Sequence, residues 1–358
     1  MRNHMQYIAL LAIVLAPTLG CADRATAPVS IPRAQLARDP QALVPVDLGA
    51  LGGLGVNRYS AALALSPTGD IVGWSTVPGP AYEVPHAVLW RDGAIIDLGT
   101  LGGHLSRAFG VNADGVIVGE ALIPGDYFFH AVAWKGGVIN DLGTLGGYGS
   151  IAYGINPSGL IVGWSQTPGQ LGHACLWDGD TIIDLGTLGG PTSVAYAINA
   201  AGVIVGSSST DAGDTHAFRW KNGVMTDLGT LGGANSVAYA VNPAGDVVGS
   251  SSTAGGEEHA VLWRKNGDMV DLGPPGRASV ARGINASGQI VGYFSGSPSG
   301  GAFLWQNGVM TELPSVVLER PGEPAAPGIA HAYAISASGD IVGDGRTFLM
   351  PHAALWTR

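Results

Sequence analysis

The sequence predicts an all-β protein, a seven-bladed β-propeller of four-stranded antiparallel blades, and three observations carry that prediction. A motif that opens with His-Ala and reaches Trp four residues after the His returns along the chain, mostly at intervals of 43 or 44 residues. Each copy divides into four short apolar runs bounded by turn residues. The last copy lacks its fourth run, while an unassigned run stands ahead of the first copy. A β-solenoid is the alternative for a period of this length, but an open array gains nothing from a displaced strand.

Composition agrees with many tight turns between short buried strands: 57 of 358 residues are Gly, and only 12% are charged. The net charge of −10 comes from scattered carboxylates, and no basic cluster exceeds Arg264-Lys265. Nucleic-acid binding therefore lacks its electrostatic footprint. The two cysteines, Cys21 and Cys175, make no disulfide framework. Cys175 stands where other copies carry Phe, Val or Ala and reads as a small buried hydrophobe.

Residues 1–20 read as a signal peptide, with Arg2 followed by an apolar run from Tyr7 to Ala16 that is too short to span a bilayer. Leu19-Gly20-Cys21 resembles the end of a bacterial lipobox, which implies lipid attachment at Cys21. Thr18 and Leu19 depart from the usual residues of that motif, and Ala25-Thr26-Ala27 offers a rival cleavage site followed by Pro28. The expectation is an exported protein anchored to the envelope by lipid alone, or a secreted one if Cys21 is not lipidated. Residues 21–43, with Pro28, Pro32 and Pro40, read as a flexible tether.

Residues 44–358 form the repeat domain. The anchors are His86, His130, His173, His216, His259 and His352, with Gly301-Ala302 as a degenerate copy, and Trp90, Trp134, Trp177, Trp220, Trp263, Trp305 and Trp356 follow them. The fourth copy shows the four strands: a from Ser193 to Asn199, b from Val203 to Ser207, c from His216 to Trp220, and d from Val224 to Leu228. Asn-x-x-Gly between a and b and Lys221-Asn222-Gly223 between c and d are hairpin turns, so each unit is antiparallel. The third residue of strand a is Ala in every copy and the fifth is Ala or Gly, leaving one face stripped of bulk for a neighbouring sheet. The chain ends two residues after Trp356, and Val44 to Leu48 supplies the missing d strand, closing the ring through the last blade.

His216-Ala217-Phe218-Arg219-Trp220, followed by Asp227-Leu228-Gly229-Thr230-Leu231-Gly232-Gly233, resembles the bacterial HAF repeat, a family of extracellular repeats named for its His-Ala-Phe core. The DLGTLGG string also follows from Asp97, Asp141 and Asp184, whereas copies six and seven depart from it. The resemblance implies an extracytoplasmic setting and carries no catalytic residue.

The recurring His and Asp residues read as framework, because metal ligands must converge on a point and these are spread around a circle. No metal, cofactor or catalytic motif is expected. Sites of recognition are sought where the repeat varies. The position after Val-Gly in strand b holds Trp74, Glu120, Trp164, Ser207, Ser250, Tyr293 and Asp344. It adjoins the b–c loops, which carry Tyr82 and Tyr127. Trp74, Trp164, Tyr293, Tyr82 and Tyr127 are thus the candidate binding residues, for a glycan, peptide or protein partner on the b–c face. Packing between blades is the competing reading for Trp74 and Trp164. A non-enzymatic binding module is the reading adopted; a propeller-based lyase or hydrolase acting on an extracellular polymer and a purely structural envelope lipoprotein are the alternatives. Arg107, Arg282 and His331 on strand a are the residues whose convergence favours an enzyme.

Overall fold

The computed structural model describes residues 36–37, 43–51, 59–79, 83–125, 127–295, 300–315, 329–347 and 350–357. The signal segment, Cys21 and Tyr82 lie outside them. Every element described is a strand, and the arrangement is a β-propeller of four-stranded antiparallel units. No helix among the described residues is long and apolar enough to cross a membrane.

The expected seven separate sheets are not observed. Five blades stand as individual four-stranded antiparallel units. Four consist of one repeat each, running from Ser60–Leu65 to Ala94–Asp97, from Ser106–Val111 to Val138–Asp141, from Ser150–Ile155 to Thr181–Asp184, and from Ser279–Ile284 to Val309–Glu312. The fifth joins Ile329–Ile335, Ile341–Thr347 and Met350–Thr357 to Val44–Gly49. The strands from Gly189–Ile198 to Met269–Asp271 form one eight-stranded sheet. Fusion occurs because the strand Gly232–Val241 begins four residues before Ser236, which brings Asn235 into parallel pairing with Thr215 of the preceding copy. In the fourth copy the strands likewise outrun their predicted bounds, spanning Gly189–Ile198 and Ile204–Thr210. Part of the expected tether is also paired, as Leu36–Ala37 lies parallel to Met310 and Thr311 on an otherwise open sheet edge.

The first strand of each copy lies against the first strand of the next, and Ile329–Ile335 lies against Ser60–Leu65, so these strands form a closed circle. Each contains a β-bulge just after the recurrent Ala, so the simple two-faced alternation expected for strand a breaks at its fourth residue. A bulge leaves one residue unpaired and re-aims its side chain. It also presses the two backbones together, which explains the glycine of Val-Gly in strand b: a Cβ on Gly163 would collide with the Ile151 carbonyl oxygen. The bulge's neighbour Ala152 is fully buried for the same reason.

Neighbouring copies are held by a recurrent clasp. Between the third and fourth, Asp184 accepts a hydrogen bond from the Gly186 amide at 2.8 Å and pairs with His173 Nδ1 at 2.8 Å. Ser193 Oγ accepts from the Ala174 amide at 2.8 Å and donates to the Gly186 carbonyl at 2.6 Å. One hydroxyl thereby ties strand c and the d–a turn of one copy to strand a of the next. The same bonds close the circle: His352 pairs with Asp47 at 3.3 Å, and Ser60 takes the Ala353 amide and bonds the Gly49 carbonyl. At the opposite end, the side-chain amides of Asn112, Asn156 and Asn199 each donate to the backbone carbonyl of the corresponding Asn in the next copy. Tryptophans fill the space between sheets, with Trp177 and Trp356 almost fully enclosed.

Candidate binding site in the channel

The bulged residues of the circle are Leu63, Phe109, Tyr153, Tyr196, Tyr239, Arg282 and Tyr333, all half-buried. Because the bulge turns each of them off the strand pairing, their side chains meet those of adjacent copies. Phe109, Tyr153, Tyr196 and Tyr239 form a ladder with successive ring centroids 5.3 Å apart. Arg282 continues it, its guanidinium carbon 4.0 Å from the Tyr239 ring centroid and 5.9 Å from that of Tyr333. Among the described residues no carboxylate bonds this guanidinium. Its charge is felt as far as Tyr153, three copies away. Burial pushes the hydroxyls of Tyr153, Tyr196 and Tyr333 above the ordinary tyrosine range, so they remain protonated donors.

The second residue of strand a pairs across to the variable position of strand b. Two of these pairs bring a basic side chain to a carboxylate. Arg107 meets Glu120 at 2.8 Å, and His331 Nδ1 meets Asp344 at 2.8 Å. Burial raises the pKa of Glu120, the larger effect, against the favourable charge of Arg107. Asp344 is buried and also accepts from the Tyr333 hydroxyl at 3.3 Å. Tyr293 stands edge-on to the His331 ring at 4.6 Å and lies 6.5 Å from Tyr333. Copies six and seven thus gather Arg282, Tyr293, His331, Tyr333 and Asp344. Beside them, a shallow cleft is lined by Asn235, Ser236, Val237, Ser250, Ser251, Ser252 and the exposed Glu258.

Of the predicted residues, Tyr293 belongs to this cluster. Trp74 and Trp164 are half-buried in the first and third copies, at the same repeat position. The Trp164 indole lies over Gly172 so closely that a Cβ there would strike the ring, and its edge is 3.7 Å from where a Cβ of Gly149 would stand. Trp164 therefore packs within its blade. Tyr127 is 82% exposed on its loop, and its neighbour Phe128 stacks on Tyr148 at 5.0 Å. Arg282 and His331 are brought into one cluster around Tyr293 and Tyr333, whereas Arg107 is engaged by Glu120. The tyrosine ladder itself escaped sequence reasoning, although it has a signal: an aromatic residue between two small ones in strand a, as in Ala152-Tyr153-Gly154.

The closed circle of first strands, with its ladder of half-buried aromatic rings, defines a β-propeller. No family model matches the sequence, and no curated protein does. Among solved structures, a puromycin hydrolase is similar over 91% of this chain and 55% of its own, with a TM-score of 0.54 at 14% identity. TolB from Acinetobacter baumannii is similar over 66% of this chain and 61% of its own, with a TM-score of 0.46 at 11% identity. The chain thus spans little more than half of either protein, and the likeness is one of fold alone.

Proposed function

We propose that this chain is an exported envelope protein of the HAF-repeat kind, anchored through Cys21, whose propeller binds a glycan, peptide or protein partner at the mouth of its channel. The observation that carries the binding reading is the convergence of Tyr293 and His331, which break the repeat, with Tyr333, side chains from copies six and seven that meet at 4.6–6.5 Å. Aromatic rings with polar edges combine contact area with hydrogen-bonding capacity. We count the eight-stranded sheet as two blades joined by the single Thr215–Asn235 pair, which makes a ring of seven closed by Val44–Gly49.

Binding is tested with residues 28–358 on glycan and peptide arrays. The combined change Tyr293→Ala and His331→Ala should abolish retention, with the far-ultraviolet spectrum unchanged; full retention would remove the site. The hydrolase or lyase alternative draws on one feature, the His331–Asp344 pair, in which a buried carboxylate orients the imidazole and leaves Nε2 free to accept a proton. Release of new reducing ends from a retained glycan, lost in His331→Gln, would favour it.

A further inference from the structure

We propose that the channel mouth spanning copies five to seven holds one carboxylate-bearing sugar residue, its carboxylate on Arg282 and its ring against the tyrosines. This rests on the binding reading above and names the ligand's chemistry.

Charge selects the carboxylate. Arg107 pairs with Glu120 and Asp344 with His331 on the adjoining strand, while the exposed Glu258 lines the neighbouring cleft. Arg282 alone sits on aromatic faces with no carboxylate bonded to it among the described residues. A guanidinium that is half-shielded from water and held by ring contacts keeps its planar fork available for a bidentate anion. Its number matters too. One such cation in a chain of net charge −10 suits a ligand with a single carboxylate and repels a polyanion.

The surroundings select a sugar. Tyr239 and Tyr333 flank Arg282, and Tyr293 lies 6.5 Å from Tyr333, so aromatic rings adjoin the cation. Ring faces stack on the C–H side of a pyranose while hydroxyls bond its own hydroxyls. The cleft in copy five, lined by the exposed Asn235 and Glu258 together with the buried Ser236, Ser250 and Ser251, is where the next sugar of a chain would lie. An acidic peptide would also satisfy the guanidinium, and the tripeptide arm of the test distinguishes it from a sugar.

The test titrates the exported chain with an oligosaccharide carrying one terminal glucuronate, its neutral glucose-terminated counterpart, and a tripeptide with one glutamate, following tyrosine and tryptophan fluorescence. The glucuronate ligand should bind, and the neutral counterpart and Arg282→Met should each weaken binding roughly ten- to a hundredfold, the loss of one charge-assisted pair. Arg282→Lys should recover part of it, and added salt should weaken binding by the parent and by Arg282→Lys but not by Arg282→Met. Absence of glucuronate binding, equal binding of the neutral ligand, or an unaffected Arg282→Met would overturn the proposal. Tighter binding of the tripeptide would overturn the sugar assignment. Tyr293→Ala separates the two readings: if it leaves glucuronate binding intact while Arg282→Met destroys it, the carboxylate site stands and the wider mouth reading fails.

Discussion

Between the third and fourth copies, one serine, one aspartate and one histidine lock strand c, the d–a turn and the next strand a together. Between the sixth and seventh, all four residues of that clasp are replaced at once: Gly301 stands for the histidine, Glu312 for the aspartate, Pro314 for the turn glycine and Ala330 for the serine. Among the described residues this junction keeps the Asn285 amide on the Ser336 carbonyl at 3.0 Å and the Trp356 indole on the Pro314 carbonyl at 2.8 Å. Arg282, Tyr293 and His331, which depart from the repeat, belong to these same two copies, as the departing pair Arg107 and Glu120 belongs to the second. Where the repeat is regular, the clasp side chains hold neighbouring copies together; at the sixth–seventh junction that clasp is missing. The difference shows that the repeated residues serve closure.

Three changes would break or sharpen that contrast. The largest effect is expected from deleting residues 44–49, which removes the whole outer strand beside Met350–Thr357 and the Asp47 partner of His352. Five residue pairings, at about 1 kcal/mol each, amount to a large share of a domain's stability. Urea unfolding should lose its single cooperative transition, and a curve matching the parent would show that closure contributes little. Next is Ser193→Ala, which leaves the buried Ala174 amide and the Gly186 carbonyl without their partner at a regular junction. A loss of about 2 kcal/mol is expected in the same measurement, whereas the opposite change Ala330→Ser at the irregular junction should shift stability by less than ~0.5 kcal/mol. Equal effects at the two junctions would erase the distinction drawn between them.

The smallest effect concerns pH. The bond to Asp271 is the main cause that raises the pKa of His259, outweighing burial, which acts the other way, and Glu257 adds to the rise. A raised folded-state value means that the protonated pair stabilises the fold fully below the unfolded value of about 6.5. That contribution is lost as pH rises through the higher folded value. Stability should therefore decline across that window, and His259→Gln should flatten the decline by a few tenths to 1 kcal/mol. A parent profile already flat between pH 6 and 9 would count against the paired histidine as a stabilising element.

Much of the framework was legible in the residues. The repeat announces its strands through turn chemistry, and Asn222 and Gly223 both adopt the positive φ that their hairpin demands, 51° and 84°. The His–Asp pairing and the donation of a terminal strand to the last blade follow from residues missing at one end and supplied at the other. Less was legible of the site. Trp164 looked like a recognition residue because it varies, yet a side chain's variation does not reveal that Gly172 and Gly149 have made room for it.

By itself, the sequence determined the all-β class, the four-stranded antiparallel unit and the role of Val44–Gly49, because turn residues and strand count act locally and can be read in order. Only the tertiary structure decided where side chains from different copies meet. The bulge after each strand-a alanine aims Tyr153, Tyr196, Tyr239 and Arg282 together, and the early start at Gly232 fuses two units into one sheet. Both depend on how backbones approach across strands, a property of the assembled circle that no single copy carries.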